Sequence, residues 1–298
     1  MSQQCLITLP KTVKYDQSFI DKFENNVINT IKQYSLFTKQ EKNLVAVSGG
    51  KDSTALLYLL NKLQYNIEAI TVDAKIGCYS EENLKNIKSF CKKLDVKLHI
   101  VSFRDTFGGS LCYLQDVLKE KNVHLRSCNT CGVLRRYLLN VNAKKLNASK
   151  LVLGHNMDDE VQSILMNYMK NHLEKSARMG ALVGSPKNDF FVMRAKPFYL
   201  TEEKHIVMYS KMLKFPVHYG TCPCAEEGYR FNVKSLLHKY ESSNQNYLKN
   251  FILTFLKQLP LLQKRFSKPS SVRFCQECQE PSSHNLCRTC QIVGVLKT

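Results

Sequence analysis

Val45-Ala46-Val47-Ser48-Gly49-Gly50-Lys51-Asp52-Ser53 runs from an apolar, β-branched stretch through two glycines into a pattern with helical spacing. Glycines let a backbone turn tightly and bring its N–H groups against an anion, and a helix N-terminus adds favourable partial charge. Lys51 can neutralise phosphate charge, Ser48 and Ser53 can donate hydroxyl hydrogen bonds, and Asp52 can hold Mg²⁺ or position a phosphate-bound water. A Walker A motif needs a longer loop between its glycines. The plain alternative is a strand-to-helix turn with a capping serine. The ordered run from Ser48 to Ser53 directly after an apolar strand favours a nucleotide site.

Outward from this loop, Leu44 to Val47, Ile67 to Val72, Leu98 to Phe103 and Leu151 to Leu153 read as short buried strands. Amphipathic segments near Ser53 to Leu63, Glu81 to Lys93, Gly132 to Leu146 and Asp158 to His172 alternate with them. That alternation predicts an α/β fold with an open, mainly parallel sheet and ligands at the carboxyl ends of its strands. Gly154-His155-Asn156-Met157-Asp158-Asp159-Glu160 again follows a strand and opens a helix. Asp158 and Asp159 are expected beside the nucleotide, whereas Glu160 reads as a cap favoured by the helix dipole. Further helices are expected over Phe19 to Tyr34, Tyr229 to Tyr240 and Asn246 to Leu259.

Lys and Arg number 43 against 25 acidic residues, a net charge of +18 over 298 residues, which favours a polyanionic partner such as nucleic acid. An AT-rich genome, which inflates Lys and Asn, would produce some of the same excess. No stretch approaches the roughly 20 apolar residues of a membrane span, and Met1 to Lys11 lacks an apolar secretory core, so a cytoplasmic enzyme is expected. In that reducing compartment, close cysteine pairs mean metal or catalysis more often than disulfides. Eight of the twelve cysteines form four such pairs: Cys128/Cys131, Cys222/Cys224, Cys275/Cys278 and Cys287/Cys290.

Cys128 and Cys131 lie where a helix begins, followed by Arg135 and Arg136, a setting that favours thiolate chemistry or metal ligation. A structural zinc half-site or a pair of buried thiols is the alternative. Cys275-x-x-Cys278 and Cys287-x-x-Cys290 have the spacing of a four-cysteine zinc ribbon, with His284 as a loop residue between them. Four parts follow: a helical extension over 1–40, a nucleotide-binding domain over 41–228, C-terminal helices over 229–270 ending in a Ser/Pro-containing linker at Ser267 to Ser271, and a ribbon over 271–298. Phe190-Phe191, Phe251 to Phe255 and Met166/Met169 are expected in the core, with Cys78, Cys91 and Cys112 as small buried residues. His172, His205, His218 and His238 have no evident partner in sequence.

The loop from Ser48 to Ser53 resembles that of the PP-loop ATP pyrophosphatases. Cys128 to Arg136, Gly154 to Asp159, Arg194 to Pro197 and Cys222 narrow the resemblance to tRNA 2-thiolation enzymes over nearly the whole chain. The resemblance implies the adenine nucleotide alpha hydrolase-like fold, with ATP and Mg²⁺ held by Ser48, Gly49, Gly50, Lys51, Asp52, Ser53, Gly154, His155 and Asp158. It also implies that Cys128, Cys131 and Cys222 bind three irons of a [4Fe–4S] cluster, the fourth iron being open for sulfide. A persulfide and a disulfide on the same cysteines form the rival chemistry. ATP would adenylate the C2 oxygen of a uridine, sulfur would replace it, and Asp159 and Arg135 would act beside the reacting atoms. The implied partners are tRNA, with the wobble uridine as substrate, a ubiquitin-like thiocarboxylate sulfur carrier, and a second copy or a related non-catalytic subunit. Cytidine thiolation and a silent tRNA-binding subunit are the competing readings. Cys224 departs from the family pattern, which has an aromatic residue there. Members also begin with a zinc finger, of which only Cys5 and Leu9 to Thr12 remain.

Overall fold

The computed structural model describes residues 13–184, 190–220, 222–224, 229–241, 244, 246–266 and 273–297. Cys5, Leu9 to Thr12 and the linker at Ser267 to Ser271 lie outside the described residues. In chain order the elements are α1 (Gln17–Gln33), β1 (Asn43–Ala46), α2 (Lys51–Lys62), β2 (Ile67–Asp73), α3 (Gly77–Lys93), β3 (Leu98–Ser102), α4 (Phe103–Phe107), α5 (Leu111–Glu120) and α6 (Ser127–Lys145). There follow β4 (Lys150–Val152), α7 (Met157–Met169), α8 (Leu173–Ser176), β5 (Leu182–Val183), β6 (Met193–Ala195), α9 (Glu203–Met212), α10 (Tyr229–Glu241) and α11 (Tyr247–Phe266). The chain closes with β7 (Arg273–Phe274), β8 (Pro281–Ser282) and α12 (Arg288–Lys297).

The main sheet has the order β3-β2-β1-β4-β6-β5, and only β5 runs antiparallel to its neighbour. The chain travels outward from β1 through β2 to β3, then returns to place β4 on the other side of β1. That reversal makes a topological switch point between β1 and β4, where parallel sheets open a crevice at their carboxyl ends. The loops after both strands, Ser48 to Gly50 and Leu153 to Asn156, meet there.

Helix α1 turns Ile20, Phe23, Val27 and Ile31 inward, at the three- and four-residue spacing of one helix face. They join a core with Leu56 and Leu60 of α2, Phe198, and Tyr209 of α9. Phe23 stacks on Tyr209 with ring centroids 4.2 Å apart, and the Tyr209 hydroxyl donates to Glu24 Oε1 at 2.8 Å. Lys62 Nζ reaches both Glu24 oxygens at 2.7 and 2.8 Å, so the buried carboxylate is paired. A second cluster joins Leu111, Leu114 and Leu118 of α5, Leu134 and Leu138 of α6, and Ile292 of α12. The short terminal segment therefore uses its helix to complete the main body's core.

Several expected core residues are elsewhere. Phe190, Phe191 and Met169 are 39, 42 and 58% exposed, because the first two lie in the loop before β6 and Met169 ends α7. Cys91 is buried, whereas Cys78 and Cys112 open α3 and α5 and are exposed. Of His172, His205, His218 and His238, three have polar partners: His172 with Glu174 at 3.4 Å, His238 with Glu241 at 3.7 Å, and His218 Nδ1 accepting from Gly220 N at 3.2 Å. Phe23→Ala is expected to cost about 3–5 kcal/mol, since it removes a buried aromatic side chain and leaves a cavity. A urea-unfolding midpoint equal to wild type would remove α1 from the core.

Candidate active site

Backbone geometry makes the first loop. Gly49 has φ +86°, and a Cβ there would meet Asn83 Cβ at 2.7 Å, so both conformation and space require glycine. Ser53 Oγ locks the turn, accepting from Ser48 N at 3.0 Å and donating to Gly50 O at 3.2 Å. Gly50 caps α2 without a side-chain hydrogen bond. The first amides of α2 have no intrahelical carbonyl to meet, which suits an anion.

Lys51 Nζ lies 2.9 Å from Asp52 Oδ2 and 2.8 Å from Glu203 Oε1, and Lys234 Nζ of α10 binds the other Glu203 oxygen at 2.9 Å. Burial works against charge on Lys51, but the two carboxylates outweigh it and hold the ammonium protonated. Burial likewise opposes ionisation of Glu203, yet Lys51 and Lys234 pull its carboxyl down to about 2. Glu203 and Lys234 were invisible to the motif reading. Glu203 had one signal, an acidic residue opening a helix after a strand, as at Asp52 and Asp158. Arg230 and Lys234 had only their four-residue spacing on one helix.

At the second loop, a Cβ on Gly154 would meet Ser53 N at 3.0 Å, so glycine lets the two loops touch. Asn156 accepts from Asp159 N at 3.0 Å and the Asp159 carboxylate accepts back from Asn156 N at 3.4 Å, forming a capping box. Asn156 Nδ2 also donates to Asp52 Oδ1 at 3.2 Å, and Arg230 approaches Asp159 at 3.5 Å. Glu160 is not the surface cap its position suggested. It is buried and pairs with Lys196 at 2.7 Å, because Asn156 and Asp159 already cap the helix. His155 is exposed beside them.

Helix α6 starts at Ser127 with no side-chain cap, and Cys128 and Cys131 occupy its first turns. Gln115 of α5 donates to buried Thr130 at 2.6 Å and fixes that turn. Arg135 Nε donates to Cys131 Sγ at 3.1 Å, and Cys128 Sγ donates to Cys224 O at 2.8 Å, which brings the 222–224 segment against the helix. Arg135 also lines a small cleft with Ser48, Thr71, Asp73, Tyr79 and Asn83. The cleft lies at the ends of β1 and β2, so one side chain spans the first loop and Cys131.

The donor sets differ between the two cysteine sites. Cys275, Cys278, Cys287 and Cys290 place their four sulfurs within 4.8 Å of one another, which fits one tetrahedral zinc with Zn–S bonds of about 2.3 Å. Cys287 N and Cys290 N donate to Cys275 Sγ at 3.2 Å and Cys287 Sγ at 3.4 Å. His284 stays exposed, outside the quartet. Among the described residues no other group of three ligating side chains is that tight, Cys128, Cys131 and Cys222 included. Three cysteines outside any disulfide and at wider spacing suit a multi-iron cluster.

Asp158 is the site's acid out of place. Burial first, and then Glu203 and Asp159, push its carboxyl up to about 7 from 3.8, although Glu203 N donates to it at 2.7 Å. The folded chain thus holds this proton more tightly than the unfolded chain, and the group's contribution to stability falls as pH rises from about 4 to 7. Asp158→Asn keeps an acceptor for the Glu203 amide. It is expected to raise Tm at pH 8 and leave it unchanged at pH 4, measured by thermal melts; a lower Tm at pH 8 would contradict the assignment.

Comparison with known proteins agrees with this geometry. The PP-loop domain model matches residues 20–216. The tRNA-5-methyluridine(54) 2-sulfurtransferase of Pyrococcus horikoshii is 32% identical over 98% of this chain and 91% of its own. Cytoplasmic tRNA 2-thiolation protein 1 of Saccharomyces cerevisiae is 30% identical over 99% and 85%. The solved U34-tRNA thiolase NcsA from Methanococcus maripaludis, with its [4Fe-4S] cluster, superposes with a TM-score of 0.76 at 25% identity, covering 97% of this chain and 95% of that one. With its loop from Ser48 to Ser53 linked to Cys131 through Arg135, the chain belongs to the PP-loop family, among the tRNA 2-thiolation proteins.

Proposed function

We propose that this protein replaces the C2 oxygen of the tRNA wobble uridine with sulfur, at the expense of ATP cleaved to AMP and pyrophosphate. The observation that carries this reading is Arg135, which contacts Cys131 Sγ and lines the cleft that begins at Ser48. Activation and sulfur transfer must act on one carbon in succession, and a shared cleft permits that without release of the adenylate.

Ser48 to Ser53 and Gly154 hold the phosphates against the start of α2, and His155 and Asp158 close the nucleotide from the second loop. Lys51 exchanges a carboxylate partner for phosphate oxygen, while Asp52 supplies an oxygen ligand for Mg²⁺. Asp159 orients the activated base, and Arg135 stabilises the negative charge that develops as sulfur attacks C2. Cys128, Cys131 and Cys222 would hold the [4Fe–4S] cluster, whose role when bound is to present sulfide. The net charge of +18 supports tRNA as the bound polyanion. A ubiquitin-like thiocarboxylate carrier serves as sulfur source, and the working unit is a homodimer or a pair with a related non-catalytic subunit.

The test is nucleoside mapping by mass spectrometry of tRNA incubated anaerobically with the protein, ATP, Mg²⁺ and sulfide. A 2-thiouridine at position 34 is expected, and Lys51→Ala is expected to abolish both it and pyrophosphate release. Sulfur at position 54 or on cytidine would overturn the wobble assignment, and unmodified tRNA would overturn the enzymatic one. Arg135→Ala is expected to lower kcat by about 10²–10³-fold with little change in ATP affinity. An unchanged kcat would remove Arg135 from the reaction.

A further inference from the structure

The sulfur site contains a thiol that the three-cysteine reading leaves without a task. Cys224 is half-buried and packs with Cys131 and Cys222 against one apolar floor that includes Leu111, Leu114 and Leu134. Its backbone carbonyl accepts the Cys128 thiol at 2.8 Å, and a side-chain hydrogen bond links it to Cys222. Pro223 stiffens the turn between them by fixing its own φ. Three other thiols lie near enough to act on Cys224 electrostatically: Cys222, Cys128 and, from the start of α5, Cys112.

An iron–sulfur cluster on three thiolates has one iron without a protein ligand. A thiol tethered within the same site reaches that position as an intramolecular ligand, at an effective concentration on the order of millimolar. We propose that Cys224 is a fourth thiolate of the sulfur site, occupying the position left open by Cys128, Cys131 and Cys222 until incoming sulfide displaces it. The exchange moves no electrons. HS⁻ enters, the Cys224 thiolate leaves, and the freed thiolate takes a proton from water. Such a cap protects the cluster between turnovers and makes sulfur loading a ligand competition.

This inference rests on the cluster assignment above, and its test separates the two. The full chain, Cys224→Ala, Cys224→Ser and Cys112→Ala are reconstituted anaerobically, then treated with ferricyanide and a chelator. Iron per chain and the electron paramagnetic resonance spectrum are followed, with circular dichroism and zinc content as folding controls. Wild type and Cys112→Ala are expected to keep all cluster iron. Both Cys224 variants should lose about one iron of four and show a three-iron signal. Equal iron loss in wild type and the Cys224 variants would overturn the cap while leaving the cluster assignment standing, as would selective loss in Cys112→Ala. Zinc without cluster iron in every protein would overturn both.

Discussion

The ammonium of Lys51 ties the catalytic edge together. Its two carboxylate partners come from its own helix and from α9, 152 residues away. Glu203 then binds Lys234 of α10 and gives its amide to Asp158 of α7, while Asp52 takes Asn156 from the same second loop. Four segments distant in sequence thus meet around one cation. Without that cation, half-buried Asp52 and buried Glu203 would face each other as like charges, with Lys234 still on Glu203. The site is therefore assembled around Lys51 and its carboxylates, and in the proposed mechanism phosphate replaces one carboxylate there.

Helix α6 links the chemistry to the terminal ribbon. Cys128 and Cys131 are at its start, Arg135 one turn later faces the cleft, and Asn140 and Lys144 bind Glu280 of the ribbon at 2.7 and 2.8 Å. Nine residues separate Cys131 from Asn140, about 13 Å along a helix. Ile292 of α12 reaches the same core as Leu134 and Leu138. A four-cysteine cluster that orders the ribbon therefore also braces the helix carrying Cys128 and Cys131, although no cysteine is shared between them.

The strands around β1 were legible because each is a short run of β-branched apolar residues, and the phosphate loop because its glycines and lysine follow such a run directly. Strand β6, with three residues including Arg194, carries no periodicity to read, and β5 has only two. The cysteine sites were visible as spacings. Their geometry was not, since the contact of Cys128 with Cys224 joins residues 96 apart. Glu203, Lys234 and Arg230 escaped detection for the same reason: their role exists only once α9 and α10 fold against the first loop. Glu160 shows the converse, a residue at a cap position whose partner, Lys196, lies on a remote segment.

The central claim is that activation and sulfur transfer use separate residues on one cleft. Pyrophosphate exchange into ATP, measured with tRNA present on a Cys128/Cys131/Cys222 triple-alanine chain, tests it most directly. The account expects exchange to persist near the wild-type rate while no 2-thiouridine forms. Exchange lost together with thiolation in a folded, zinc-replete variant, or thiolation surviving without the three thiols, would contradict it.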